Sequence, residues 1–169
     1  MKLIIKELEV GEVTQSYVDW FSDPQVSKYS ENQYLKFTLQ SQKKYVSECI
    51  SNPDLALYGI FDNCLHIGNI VLKGLQSVHN RGEIGFVVGV TAYWGRGVAS
   101  SAVAEIISIA KKNYKLEKLY GSVARPNIAS AKVFEKNGFE LEGTRKKHLL
   151  YGGSFYDQLD FGLVISGAC

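Results

Sequence analysis

The sequence predicts a mixed α/β unit, one domain over residues 1–169. Three observations point there. Short apolar, strand-like stretches recur at residues 3–7, 56–61, 65–75 and 118–123. Val98, Ala102, Val103, Ile106, Ile107 and Ile109 return near helical spacing. Between these patterns, Glu83-Ile-Gly-Phe-Val-Val-Gly-Val-Thr-Ala-Tyr-Trp-Gly-Arg-Gly97 runs as an apolar strand into a Gly-rich turn and then a helix start.

The elements follow in order. Leu3, Ile5 and Glu7 alternate with their neighbours as a first strand, and a helix is expected over residues 14–22, broken by Asp23-Pro24. Thr38 opens a second helix whose inner face is expected to carry Tyr45, Val46, Cys49 and Ile50, and Asn52-Pro53 closes it. Strands over residues 56–61 and 65–75 flank an Asp62-Asn63 turn as a hairpin, and residues 81–90 form the strand that enters the Gly-rich turn. After the helix over residues 98–109 comes a strand at 118–123. Asn127 then caps a helix with Ala131 and Phe134 inside, and Gly138 provides the left-handed stop. Residues 139–141 and 155–165 supply the last strands. No repeat, linker or low-complexity tract interrupts the chain.

Composition narrows the functional classes. Apolar residues make up 46% and charged residues 21%, and no apolar run is long enough to span a bilayer, so no membrane role is expected. The N-terminus alternates and carries early acids, unlike a signal peptide, which points to the cytoplasm. Net charge is only +2, with short clusters at Lys111-Lys112 and Arg145-Lys146-Lys147 and no basic stripe interleaved with aromatics, so a nucleic-acid partner is not expected. Cys49, Cys64 and Cys169 are odd in number and widely spaced, which favours reduced thiols. His66, His79 and His148 show no metal-ligand spacing, so no metal is expected. Either a monomer or a homodimer fits these totals.

The Gly-rich turn carries the chemistry. Gly95 and Gly97 can adopt backbone angles closed to other residues, which lets successive amides point at one spot beside the positive end of the next helix. A phosphate or pyrophosphate is the natural guest. The turn is not Gly-x-Gly-x-x-Gly and lacks a Gly-Lys-Ser/Thr ending, so dinucleotide and ATP binding find little support.

Downstream lies Arg125-Pro-Asn-Ile-Ala-Ser-Ala-Lys-Val-Phe-Glu-Lys-Asn-Gly-Phe139. With it, the chain resembles the GNAT superfamily of N-acetyltransferases. Trp94-Gly-Arg-Gly-Val-Ala99 is similar to that family's pyrophosphate loop, Gln/Arg-x-x-Gly-x-Gly/Ala, with Gly97 and Ala99 matching and Trp94 replacing the first residue. Asn127, Ser130, Phe134 and Gly138-Phe139 fall in the family's downstream order. The likeness covers residues 83–139 and extends through Glu142-Gly143 and residues 152–157. Tyr93-Trp-Gly-Arg-Gly97 and a long C-terminal hairpin resemble the branch of ribosomal-protein N-terminal acetyltransferases, which also holds enzymes of amino-sugar nucleotides and polyamines. His66-Ile-Gly-Asn-Ile-Val-Leu72 is most similar to the amino-sugar members.

The resemblance implies a mixed, mostly antiparallel sheet of six to seven strands flanked by about four helices, and acetyl-coenzyme A as co-substrate. The amides of Gly95, Arg96, Gly97, Val98, Ala99 and Ser100 would hold the pyrophosphate. Val87, Val88 and Gly89 would line the pantetheine arm between splayed strands, with a backbone N–H near Val88 polarising the thioester carbonyl. Asn127 and Ser130 would hold the arm from the opposite wall, and Phe134 would pack on it. Glu83 is the expected general base, set against a plain surface carboxylate paired with Arg81 or another cation. Two departures from the family stand out: Phe134 lacks the hydroxyl of the usual Tyr, and Ser122 stands where some relatives carry a Glu, a candidate to orient water or substrate set against a plain satisfied hydroxyl within a strand. No Cys is placed to form an acyl-enzyme, so the acetyl group is expected to pass directly to a primary amine.

The implied acceptor is an amino-sugar nucleotide or similar small amine, with a protein N-terminus or a polyamine as alternatives. A coenzyme-binding module without turnover is the alternative from another class. Tyr151, Tyr156 and Asp157 on the C-terminal hairpin are candidates for the border of the acceptor site, with His148 as an alternative base; Tyr17, Trp20, Phe21, Tyr29 and Tyr34 are candidates for its lining, set against a core role for Tyr17, Trp20 and Phe21 at helical spacing.

Overall fold

A computed structural model describes residues 2–165. Seven strands form one sheet in the order β1–β2–β3–β4–β5–β7–β6. They are β1 (Leu3–Glu7), β2 (Leu55–Asp62), β3 (Leu65–Lys73), β4 (Arg81–Val88), β5 (Lys118–Ala124), β6 (Glu140–Tyr151) and β7 (Ser154–Val164). Every neighbouring pair is antiparallel except β4 and β5. Five α-helices accompany it: α1 (Gln15–Ser22), α2 (Pro24–Ser27), α3 (Leu39–Ser51), α4 (Val98–Asn113) and α5 (Ile128–Lys136).

Two apolar layers sandwich the sheet. On one side, Val98, Ala102, Val103 and Ile106 of α4 and Ala131 and Phe134 of α5 pack with Tyr58, Ile60, Ile84 and Leu119. On the other, Tyr17 and Trp20 of α1 and Val46 and Cys49 of α3 pack with Leu57 and Phe61. Residues of β2 alternate between the two cores. Its six central residues are therefore all buried, and it reads as a continuous apolar run.

Several local expectations need correction. Tyr45 and Ile50 do not face inward; they are 39% and 62% exposed. The buried stripe of α3 is Gln42, Val46 and Cys49, which keeps the i, i+4, i+7 spacing with a polar residue in the first position. Asp23-Pro24 ends α1 but also starts α2, because the Asp23 carboxylate accepts from the Gln25 amide at 2.8 Å and Pro24 needs no amide partner in the first turn. The strand expected at residues 139–141 is a twelve-residue strand, β6, while Phe139 precedes it and is buried. Nine of those residues are exposed, so no apolar alternation marks the strand. Cys169 lies outside the described residues.

Candidate acetyl-transfer site

The parallel pairing of β4 with β5 lasts three rungs, Arg81 to Lys118, Gly82 to Leu119 and Glu83 to Tyr120. Beyond Glu83 the strands part, and β5 stays paired to β7 along its length. An opening results, with residues 84–88 of β4 on one side. Gly89 donates its N–H to the Ile67 carbonyl at 2.9 Å, so by the alternation of strand amides Gly89 and Val87 face β3. The amide and carbonyl of Val88 face the opening. Trp94 closes the carbonyl, its indole Nε1–H donating to Val88 O at 2.8 Å, and the Val88 N–H remains as the donor on that edge. Of the three residues expected to offer open edges, Val88 alone does so through its amide.

Gly89 has a packing reason as well. A Cβ there would sit 1.9 Å from a ring atom of Trp20, so the absent side chain lets α1 lie directly on the end of β4.

Six residues past Gly89, the chain turns into α4. Gly95 and Gly97 have φ of +72° and +79°, and Gly97 is the N-cap of α4 without a side-chain cap. The first recorded helical bond is Ser101 N–H to Gly97 O at 2.9 Å, which leaves the amides of Val98, Ala99 and Ser100 as the free donors of the helix start. No acid stands in that first turn, while Lys111 and Lys112 occupy the last. Nothing local cancels the positive end of this sixteen-residue helix. The Arg96 guanidinium lies over the Tyr93 ring at 5.7 Å, and the Tyr93 hydroxyl donates to Asp62 at 3.0 Å, so a cation is tethered beside the turn.

Glu83 sits at the apex of the opening. Its neighbours Ile84 and Phe86 belong to the core under α4 and α5, so Glu83 projects to the opposite face, the one that carries α1. It is half-buried and makes no ion pair among the described residues; Arg81 instead lies over the Tyr120 ring at 5.8 Å. Ser122 shares that face, exposed and paired across to Asp160 of β7.

Two expected coenzyme contacts change character. Phe134 is 1% exposed, its ring against Phe86, Phe139 and Phe161, with its Cζ 2.6 Å from where a Gly121 Cβ would be. It is a core wedge beneath the point where β4 and β5 part, and offers no surface to a pantetheine arm. Asn127 caps α5, its side-chain oxygen accepting from the Ser130 amide at 3.3 Å, which ties the two residues to each other.

A cleft of about 580 Å³ opens next to this site. Phe21, Tyr29, Tyr151 and Tyr156 line it, together with Phe37, Lys28 and Lys36. Phe21 follows Trp20, whose ring lies on Gly89, and Tyr156 is two residues along β7 from Gln158, the partner of Ala124 at the end of β5, so the cleft is bordered by α1 and by the part of β7 just beyond β5. Tyr17 and Trp20 are core residues, 1% and 4% exposed. Tyr34 is exposed, its hydroxyl donating to Leu150 O at 2.7 Å, which joins the N-terminal segment to the hairpin. Asp157 lies outside the lining. It pairs with Arg125 and Lys146 and accepts the Lys147 amide at 3.0 Å, and that amide above all holds its carboxyl below the usual carboxylate range. His148 is exposed on β6. Lys28, Lys36 and Phe37 escaped sequence reasoning; Lys beside an aromatic, in Lys28-Tyr29 and Lys36-Phe37, was the signal available.

The acetyltransferase (GNAT) domain family matches residues 2–140. The N-acetyltransferase p20 of Bacillus licheniformis is 28% identical over 166 residues, 94% of this chain and 89% of that one. The L-amino acid N-acetyltransferase AaaT of Escherichia coli is 30% identical over 92 residues, 54% of this chain and 57% of its own, so the match spans little more than half of that relative. Among solved structures, the spermidine N-acetyltransferase of Vibrio cholerae in complex with CoA and spermine superposes with a TM-score of 0.84, covering 96% of this chain and 95% of its own at 17% identity. That likeness speaks for the fold.

Proposed function

This chain belongs to the GNAT acetyltransferase family, and we propose that it takes acetyl-coenzyme A into the opening between β4 and β5 and passes the acetyl group directly to a small primary amine. The observation that carries this reading is the parting of the two strands after Glu83, which leaves the Val88 amide on an open edge that leads to the uncapped start of α4. The amides of Val98, Ala99 and Ser100, preceded by Gly95, Arg96 and Gly97, suit the pyrophosphate. Val87 and Gly89 form the strand beside the arm, and Asn127 and Ser130 stand at the opposite wall.

The chemistry follows from these positions. The ammonium first gives up one proton, the neutral nitrogen bonds to the thioester carbon, the C–S bond breaks, and the nitrogen then sheds a second proton to water. A primary amine with pKa of about 10.4 is mostly protonated at neutral pH, so a base must act before attack. Glu83, free of ion pairs, fills that role directly or through a water, with Ser122 on the same face to orient it. The Val88 N–H donates to the carbonyl oxygen as negative charge grows there. The leaving thiolate takes a proton from water. Phe134 cannot supply one, and a thiol pKa near 8.5 makes that step undemanding.

A small amine acceptor, such as an amino-sugar nucleotide or an amino acid, is supported by the size of the aromatic cleft and by the match to the L-amino acid enzyme. The test is release of coenzyme A thiol from acetyl-coenzyme A in the presence of single amines, with the N-acetyl product weighed by mass spectrometry. Thiol release matched by product supports transfer. Tight binding of acetyl-coenzyme A without release to any amine would instead mark a binding module.

A further inference from the structure

The cleft beside the transfer site combines ring-shaped walls with charge of one sign. Phe21, Tyr29, Phe37, Tyr151 and Tyr156 give apolar faces and phenol hydroxyls. Its charged lining residues are Lys28 and Lys36, and no Asp or Glu lines it. Lys28 is positioned over the Tyr29 ring at 5.2 Å, and neither lysine makes an ion pair among the described residues. On the hairpin, Asp157, which follows the lining residue Tyr156, is taken by Arg125, Lys146 and the Lys147 amide.

We propose that the acceptor is a small amine that also bears an anionic oxygen group, carboxylate or phosphate, held by Lys28 and Lys36 while its body lies among the aromatic walls. The proposal rests on the transfer reading above. An amine that reacts at one end must expose its remaining charge to the cleft, and two unpaired cations there attract an anion and repel a second ammonium. A polyamine, which keeps one or more positive charges after losing a proton from the attacking nitrogen, meets the like charge of both lysines, while the Glu31 carboxylate near Tyr151 stands outside the lining. A volume of about 580 Å³ fits a single sugar or amino-acid side chain with room for the anionic group.

The experiment compares kcat/KM for matched amines at fixed acetyl-coenzyme A: glucosamine against glucosamine 6-phosphate, phenylalanine against phenylalaninamide, and spermidine. Each exposed charge pair is worth a few-fold, so the anionic member of a pair is expected to lead by about tenfold, with spermidine slowest. The phenylalanine pair is a stringent arm, because the amide has the less basic and hence more available nitrogen, which works against the expected order. Which pair shows the larger ratio tells phosphate from carboxylate. In the Lys28→Gln/Lys36→Gln double variant the ratio collapses toward one, while the acetyl-coenzyme A dissociation constant, read by titration calorimetry, stays the same. Equal use of both members, or a preference for spermidine, with acetyl-coenzyme A bound normally overturns the charge proposal alone. Failure of acetyl-coenzyme A to bind, or transfer to none of these amines, overturns the transfer reading and this proposal with it.

Discussion

Replacing Gly97 by Ala separates backbone strain from ligand binding. Gly97 has φ +79°, and a Cβ there meets nothing within 4 Å, so the substitution clashes with no neighbour and its cost is conformational. Holding a non-Gly residue in that left-handed region costs roughly 1–2 kcal/mol. For a chain of this size that lowers Tm by about 2–8 °C. Gly153, in the β6–β7 turn, has φ +78° and equally open surroundings, so Gly153→Ala is a matched control outside the Gly-rich turn and α4. Both variants are expected to lose similar stability by thermal unfolding. They part in calorimetric titration with acetyl-coenzyme A. Gly97→Ala puts a methyl at the mouth of the helix start and tilts its amides, weakening binding by about tenfold, or about 1.4 kcal/mol, whereas Gly153→Ala binds as the parent does. Equal affinities in the two variants would refute the assignment of the α4 start as the pyrophosphate seat.

Three further outcomes are expected. Glu83→Gln lowers kcat by about 100-fold near neutral pH, and the deficit shrinks as rising pH deprotonates the amine in solution; acetyl-coenzyme A affinity is unchanged, and a kcat equal to the parent's would remove Glu83 as base. Phe134→Ala empties a site closed by Phe86, Phe139 and Phe161, and denaturant unfolding should read a loss of about 3–5 kcal/mol; a loss near zero would mean that Phe134 is not the wedge described. His66 is pushed below its ordinary 6.5 by burial, against the opposing pull of Asn69 and the Gly68 carbonyl. The unfolded chain thus binds the proton more readily, so stability is full above about 6.5 and is lost as pH falls through it. Unfolding midpoints between about pH 7 and pH 5 should slope in the parent and flatten in His66→Gln, a window above that in which the Asp residues titrate; parallel slopes would contradict this.

Some of this molecule was legible in the sequence and some was not. The strands β2, β3 and β4 could be read because they lie between two apolar layers, which forces β-branched and aromatic residues into short runs. The cradle could be read because a positive φ at Gly95 and Gly97 leaves a residue-type signature. In contrast, β6 has mostly exposed residues such as Arg145, Lys146 and Lys147 and draws its order from pairing with β7, which no local pattern records. Tyr45 and Ile50 misled because apolar residues on α3 flank a stripe that begins with the buried polar Gln42. Phe134 fits the family's order of residues, yet its burial depends on Gly121 lacking a side chain, a contact between distant segments. The cleft is the extreme case: the Tyr29 ring meets the Tyr156 ring from the other end of the chain, and a charge-bearing lining assembled that way has no periodicity to reveal it.

The central claim is tested most directly by following backbone amide resonances while acetyl-coenzyme A is titrated into the isotopically labelled protein of 18.8 kDa. The account predicts that the amides of Val88 and of residues 95–100 shift most, with Gly153 and the hairpin turn unmoved. Shifts that cluster elsewhere, or a spectrum unchanged by acetyl-coenzyme A, would contradict it.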